Sequence, residues 1–165
     1  MKEVMRGKAW KFPDNVDTDQ IIPAVYLVTG DPGELSKHVF EKFRPEFARK
    51  IEVGDIIVGG KNFGYGSSRE HAVRALMGAG VSCVIAKSFA RIFYRNSINL
   101  CFPPIECDMD VKEGDLLEVE LAKGVIRNLA NGRNYPFTPF SPFALSMMKK
   151  GGLMRYVEEV LSCTK

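Results

Sequence analysis

Asn62-Phe63-Gly64-Tyr65-Gly66-Ser67-Ser68-Arg69-Glu70-His71-Ala72 is the stretch whose reading decides the fold. Immediately before it, Asp55-Ile56-Ile57-Val58-Gly59-Gly60 predicts a buried strand. Immediately after it, the pattern over 72–77 predicts a helix that Gly78, Ala79 and Gly80 bring to a stop. Gly64 and Gly66 supply the positive φ and close backbone approach needed where a strand turns into a helix. On this reading Ser67, Ser68 and Arg69 occupy the first helical turn.

That position has chemical content. Free N–H groups at a helix N-terminus and the positive end of its dipole stabilise an anion. The Arg69 guanidinium can grip a carboxylate through two parallel hydrogen bonds, which would place a carboxylate substrate beside a serine oxygen. Ser67-x-x-Glu70 equally fits a capping box, in which the pair only satisfies backbone donors, and spacing does not choose between the two. A dinucleotide fingerprint fits less well, because Arg69 stands where the third glycine of that motif belongs.

Outward from this stretch, the order strand, helix, strand over 56–86 implies a parallel pair with a right-handed crossover. Loops at the carboxyl ends of such strands are common ligand sites. Ser88 lies at the next such end and is the expected N-cap of a helix over 89–98, with Phe89, Ile92 and Phe93 on its buried face. Arg91 and Arg95 either pair locally or face an acidic partner, and local pairing is the simpler expectation. Upstream, 7–12 reads as a short strand ending at Pro13-Asp14-Asn15. At Asp17-Thr18-Asp19 one reading is a turn that satisfies its own backbone through Asp17 and Thr18. Residues 24–33 read as a loop. Over 32–50 the pattern becomes helical, with Leu35, Val39, Phe40 and Phe43 on one face, Phe47 beyond Pro45, and His38 solvated.

Beyond Pro103-Pro104 the character changes. Strands over 116–121 and 125–129 flank a turn at Lys123-Gly124, and Asn131-Gly132 signals a hairpin before Tyr135-Pro136-Phe137. Ser141-Pro142 opens a helix, Gly151-Gly152 interrupts it, and 153–161 reads as a final amphipathic helix. Met147-Met148 is expected to pack in a core or an interface. The fold class is therefore α/β, with parallel βαβ units and an added antiparallel β section in one domain over 1–165.

With 165 residues, 45% of them hydrophobic, the chain can bury one good core. Its net charge of +3 is small and scattered, which argues against nucleic acid as a partner. No apolar run reaches the length of a membrane span, and Met1-Lys2-Glu3 opens without the apolar core of a signal peptide. A cytoplasmic protein is expected, with no membrane association. Cys83, Cys101, Cys107 and Cys163 form no C-x-x-C pair, so no metal or cluster site is expected on this chain alone. Cys83 sits in an apolar strand as a small buried hydrophobe.

Gly64-x-Gly66-Ser67-Ser68-Arg69-Glu70-His71, followed by Val84-Ile85-Ala86-Lys87-Ser88-Phe89-Ala90-Arg91-Ile92-Phe93-Tyr94-Arg95-Asn96, resembles the small subunit of the isopropylmalate isomerase and homoaconitase family. These are two-subunit relatives of aconitase. The likeness runs from Trp10-Lys11-Phe12 and Asp17-Thr18-Asp19 to Gly151-Gly152. Tyr65 departs from it, standing where such proteins often carry cysteine.

The resemblance implies the swivelling β/β/α domain, a large-subunit partner carrying a 4Fe-4S cluster, and a small hydroxydiacid substrate. It implies dehydration to an alkene diacid and rehydration at the neighbouring carbon, which for isopropylmalate is a step of leucine biosynthesis. Carried over by residue, it makes Ser67 the base that removes the carbon-bound proton. Ser68 and Arg69 then bind a substrate carboxylate, Glu70 holds the turn, and Asp19 orients groups from behind the site. A serine hydroxyl is a poor base, so its alkoxide would need the helix N-terminus and Arg69 for stabilisation.

In this family the loop matching Tyr26-Leu27-Val28-Thr29 looks like the substrate-reading element. An arginine at its third place would suit a second distant carboxylate, so the resemblance makes Val28 a reader of an apolar branch such as isopropyl. Simple packing of Val28 is the alternative. Thr29 resembles the homoaconitase version and keeps homocitrate and related hydroxydiacids open. His71 is expected to orient or pack. A non-catalytic anion-binding assembly module and a nucleotide-binding enzyme are the alternatives of other classes.

Overall fold

The computed structural model describes residues 3–164. Four parallel strands come first: β1 (Val4–Lys11), β2 (Ile56–Gly59), β3 (Cys83–Ala86) and β4 (Pro104–Glu106). Three antiparallel strands follow, β5 (Leu116–Glu120), β6 (Val125–Asn128) and β7 (Asn134–Pro136), and the sheet order is β4-β3-β2-β1-β5-β6-β7. The α/β class with parallel units and an antiparallel section is thus the observed one. β1 begins earlier than its alternating pattern suggested, because Val4 to Gly7 pair with β5. β4 had no signal of its own beyond the proline pair.

The period of two along each strand divides the buried residues between two cores. Ile57, Val84 and Ala86 face the core beneath the helices, with Phe12, Phe63, Leu76 and Phe93. Ile56, Val58, Cys83 and Ile85 face the second core, with Leu117, Val119 and Ile126 from the antiparallel strands. β2 and β3 are buried along their whole length, as parallel strands covered on both faces should be. Cys83 is fully buried, and burial pushes its thiol pKa up to about 12. The sheet curls until its ends approach: the Cys107 thiol donates to the Pro136 carbonyl at 3.8 Å, and the Tyr135 hydroxyl to the Asp110 carbonyl at 3.1 Å.

The helices are α1 (Thr18–Ile21), α2 (Pro32–Ser36), α3 (Phe47–Lys50), α4 (Glu70–Gly78), α5 (Arg91–Asn99), α6 (Pro142–Lys149) and α7 (Leu153–Cys163). The helical pattern over 32–50 is broken into α2 and α3. Phe40 adopts φ +54° and donates its amide to the Ile21 carbonyl, while its ring stacks on Phe12 at 4.4 Å and meets Phe47 edge-on at 5.0 Å. The aromatic core therefore overrides local helix preference, and Phe43 is left exposed. Met147 and Met148 are buried, as expected. No residue of α7 is buried. Among the described residues, no helix is long and apolar enough to cross a membrane.

Candidate functional site

Three loops leave the carboxyl ends of β1, β2 and β3, and the middle one is the glycine-rich stretch. It is laced to both neighbours by backbone hydrogen bonds. On the β1 side, Gly64 donates to Val16 at 2.7 Å and Thr18 donates to Tyr65 at 2.9 Å. On the β3 side, Phe63 donates to Ser88 at 3.0 Å and Ala90 returns a bond to Phe63 at 3.0 Å. Gly64 and Gly66 have φ of +82° and +98°, the conformation that their sequence positions called for. A Cβ on Gly64 would lie 2.2 Å from Cγ of Phe93, so α5 can only seat against the loop where there is no side chain.

Two expectations about this loop are corrected. α4 starts at Glu70 with Arg69 as N-cap and no side-chain cap, so Ser67 and Ser68 precede the helix and no Ser67–Glu70 capping box forms. The reason is tertiary. Thr18 Oγ1 donates to the Ser67 carbonyl at 3.0 Å, which holds the serine backbone against α1 instead of in a helical turn. Glu70 pairs with Arg74, one turn along, at 2.5 Å. Ser88 is likewise not a helix cap: its hydroxyl accepts the Asn62 amide at 2.8 Å, and α5 begins at Arg91 with Ala90 as N-cap. Ile92 is exposed and not on a buried face, and Arg91 and Arg95 form no ion pair among the described residues.

Arg69 is the best-held side chain of the site, with only 13% of it exposed. Its Nη1 donates to Asp19 Oδ1 at 2.9 Å and to the Ile22 carbonyl at 3.1 Å. Both bonds use one nitrogen, so Nε and Nη2 keep their donors for an incoming carboxylate. The Arg69 hydrogen bond holds the Asp19 carboxyl below its ordinary range, which keeps the pair charged at neutral pH. Asp17 caps α1 by accepting the Gln20 amide at 2.7 Å, and Gln20 closes the box by accepting the Asp17 amide at 3.0 Å. Asp17 thus satisfies its own turn, whereas Thr18 and Asp19 reach across to the glycine loop.

Ser67 and Ser68 are exposed, and neither hydroxyl has a hydrogen-bond partner among the described residues. His71 is half-buried on α4. Ile22 leads directly into the loop that carries Val28. That side chain is not packed at all: it is 92% exposed. Thr29 Oγ1 accepts the Asp31 amide at 3.2 Å, which shapes the entry to α2 and leaves its own proton to donate. The fold therefore brings Asp19, Ser67 and Arg69 together through Thr18 and Ile22, with Ser68 between them in sequence. Sequence reasoning missed the Ile22 carbonyl, a backbone group with no signature, and the bridging role of Thr18.

No group of three or more His, Cys, Asp or Glu side chains among the described residues is placed to hold a metal ion. Cavities of about 630 and 340 Å³ lie elsewhere, one between α5 and the segment 137–141 and one beside Trp10. Ser67 and Ser68 stand exposed at the surface, whereas Arg69 lies mostly covered behind them.

Residues 46–110 match the family model of the aconitase C-terminal domain. Over nearly full length the chain is similar to proteins called 3-isopropylmalate dehydratase small subunit. The Aquifex aeolicus relative is 56% identical across 98% of this chain and 99% of its own. The Caldicellulosiruptor bescii relative is 54% identical across 94% and 95%, and that of Methanosarcina mazei 52% across 96% and 99%. The crystal structure of 3-isopropylmalate dehydratase from Methanocaldococcus jannaschii superposes with a TM-score of 0.93 at 41% identity, covering 98% of this chain and 97% of that one.

Proposed function

The chain belongs to the 3-isopropylmalate dehydratase small-subunit family, and from that premise we propose how its own residues serve the reaction. It is the small subunit of a hydro-lyase that interconverts 2-isopropylmalate and 3-isopropylmalate by dehydration and rehydration, a step of leucine biosynthesis. A small subunit implies a large-subunit partner, and the aconitase relationship implies an Fe–S cluster. The dispersed cysteines of this chain do not fit such a group, so the 4Fe-4S cluster, which would supply a Lewis acid for the departing hydroxyl, is assigned to the large subunit.

The observation that carries the site assignment is the Arg69 guanidinium, fixed through Nη1 alone among the described residues, next in the chain to two exposed serines whose hydroxyls are unengaged there. Its Nε–Nη2 edge takes one substrate carboxylate in a two-pronged grip, and the Ser68 hydroxyl donates to the same group. Asp19 holds the guanidinium in place and keeps it from swinging towards bulk water. Ser67 Oγ removes the carbon-bound proton in dehydration and returns it in hydration. Because Ser67 precedes α4, stabilisation of its alkoxide falls to Arg69 and to closure of the open face by the large subunit, which excludes water. Val28 and Thr29 read the alkyl branch, Glu70 steadies the start of α4, and Gly64 and Gly66 allow the loop its path.

The test is reconstitution with the large subunit of the same organism under anaerobic conditions, following alkene absorbance with isopropylmalate and homocitrate in parallel. Activity on isopropylmalate with little on homocitrate is expected. Tight diacid binding by this chain alone, with no turnover in the complex, would instead indicate an anion-binding assembly module.

A further inference from the structure

The loop over 23–29 leaves α1 from a backbone pinned on both sides. The Ile22 carbonyl accepts Arg69, and the Ile21 carbonyl accepts the Phe40 amide at 2.9 Å. The turn built around Phe40 carries His38 and Glu41, and these reach back to the loop. The Tyr26 ring lies flat on the His38 ring, with centroids 3.7 Å apart and planes at 7°. His38 Nδ1 is 3.1 Å from Glu41 Oε2, and the Glu41 carboxylate pushes the Tyr26 phenol pKa up. Leu27 packs against the helical core. On either side of Tyr26 and Leu27, Val25 and Val28 stand out into solvent, 68% and 92% exposed.

An exposed apolar side chain can discriminate a substrate's branch only if its backbone is fixed to within a fraction of an ångström. Here the loop has an identifiable hold: Tyr26 within it is clasped from outside by His38, which Glu41 holds in turn. We infer that His38 is a positioning residue: its stack on Tyr26 and its hydrogen bond to Glu41 hold the loop over 23–29 so that Val28 meets the alkyl branch of the hydroxydiacid. This rests on the assignment of Val28 as the branch reader. The same path links the branch reader to the carboxylate grip, since Phe40 fixes Ile21 and Arg69 fixes Ile22.

The experiment uses the full chain assembled with its large subunit. His38→Ala should raise the KM for isopropylmalate about 2- to 10-fold, the range expected for a lost aromatic stack, while kcat stays within about twofold. His38→Phe keeps a flat ring on Tyr26 and should restore most of the KM. Amide exchange over 24–29 in the full chain should quicken in His38→Ala and recover in His38→Phe. Val28→Arg separates the two assignments. If it raises the KM for isopropylmalate while His38→Ala changes neither KM nor exchange, the clasp is overturned and the branch reader stands. If Val28→Arg leaves the KM unchanged, the branch reader falls and the role inferred for His38 in specificity falls with it, whereas exchange still reports whether His38 holds the loop.

Discussion

Across β1, β5 and β6 the charges close on one another. Arg6, Glu118 and Arg127 are direct cross-strand neighbours, with Arg6 Nε 2.5 Å and Arg127 Nη1 3.0 Å from the Glu118 carboxylate. Arg127 also meets Glu120, which Lys123 holds at 3.0 Å. At the carboxyl ends of β1 to β3 the opposite holds among the described residues: Arg69 uses one nitrogen on Asp19 and Ile22 and leaves its other donors open, and both serine hydroxyls stand without partners. One half of the sheet satisfies its polar groups internally and is scaffold. The other withholds them, and an unspent polar group on rigid backbone is what a ligand or partner can use.

Breaking the open half should cost activity and little stability. Ser67→Ala is expected to lower kcat by about 10²- to 10⁴-fold, the usual range for a removed general base, with KM little changed. Its exposed position means that the melting temperature should hold, and undiminished turnover would strip Ser67 of the role of base. Arg69→Lys keeps the charge but loses the fork. A lost charge-assisted hydrogen bond is worth about 2 kcal/mol, so the KM should rise about 30-fold in steady-state assays of the complex.

Asp19→Asn should raise KM several-fold by loosening the guanidinium. The sign with pH follows from the lowered pKa of Asp19. Its carboxylate stays ionised above the ordinary value of 3.8, and the pair is lost only as pH falls through the depressed value. The ratio of variant to wild-type KM should therefore be constant across the neutral range.

The closed half should give the reverse result and the smallest effect. Arg127→Ala should lower the melting temperature by a few degrees and leave kcat and KM of the assembled enzyme unchanged. Arg127 holds Glu120 below its ordinary range, and Arg6 with Arg127 does the same for Glu118. Their contribution is thus present above the ordinary carboxylate value of 4.5 and disappears as pH falls through the depressed values, so the difference in melting temperature should shrink in acid. A change in KM on Arg127→Ala would blur the distinction between the halves.

Local chemistry made much of this molecule legible before folding. Gly64 and Gly66 adopt the positive φ that a strand-to-helix turn demands, and Ser141 caps α6 by accepting the Ala144 amide at 3.1 Å. The antiparallel strands follow their turn signals, because a hairpin is specified by residues near one another in the chain. Ser67, Ser68, Arg69 and Asp19 were legible only as motif residues, since spacing alone left the capping box open.

What tertiary structure decided are the places where a distant group outbids a local one. Phe40 leaves the helical pattern because the Phe12 and Phe47 rings bury it. Ser67 stays out of α4 because Thr18 holds its carbonyl, and Ser88 bonds Asn62 in preference to α5. The Ile22 carbonyl that fixes Arg69, and the stack of His38 on Tyr26, join segments whose meeting no local pattern encodes. Propensities act over a few residues and sum to small energies, whereas buried rings and directed hydrogen bonds act wherever the completed fold brings them together.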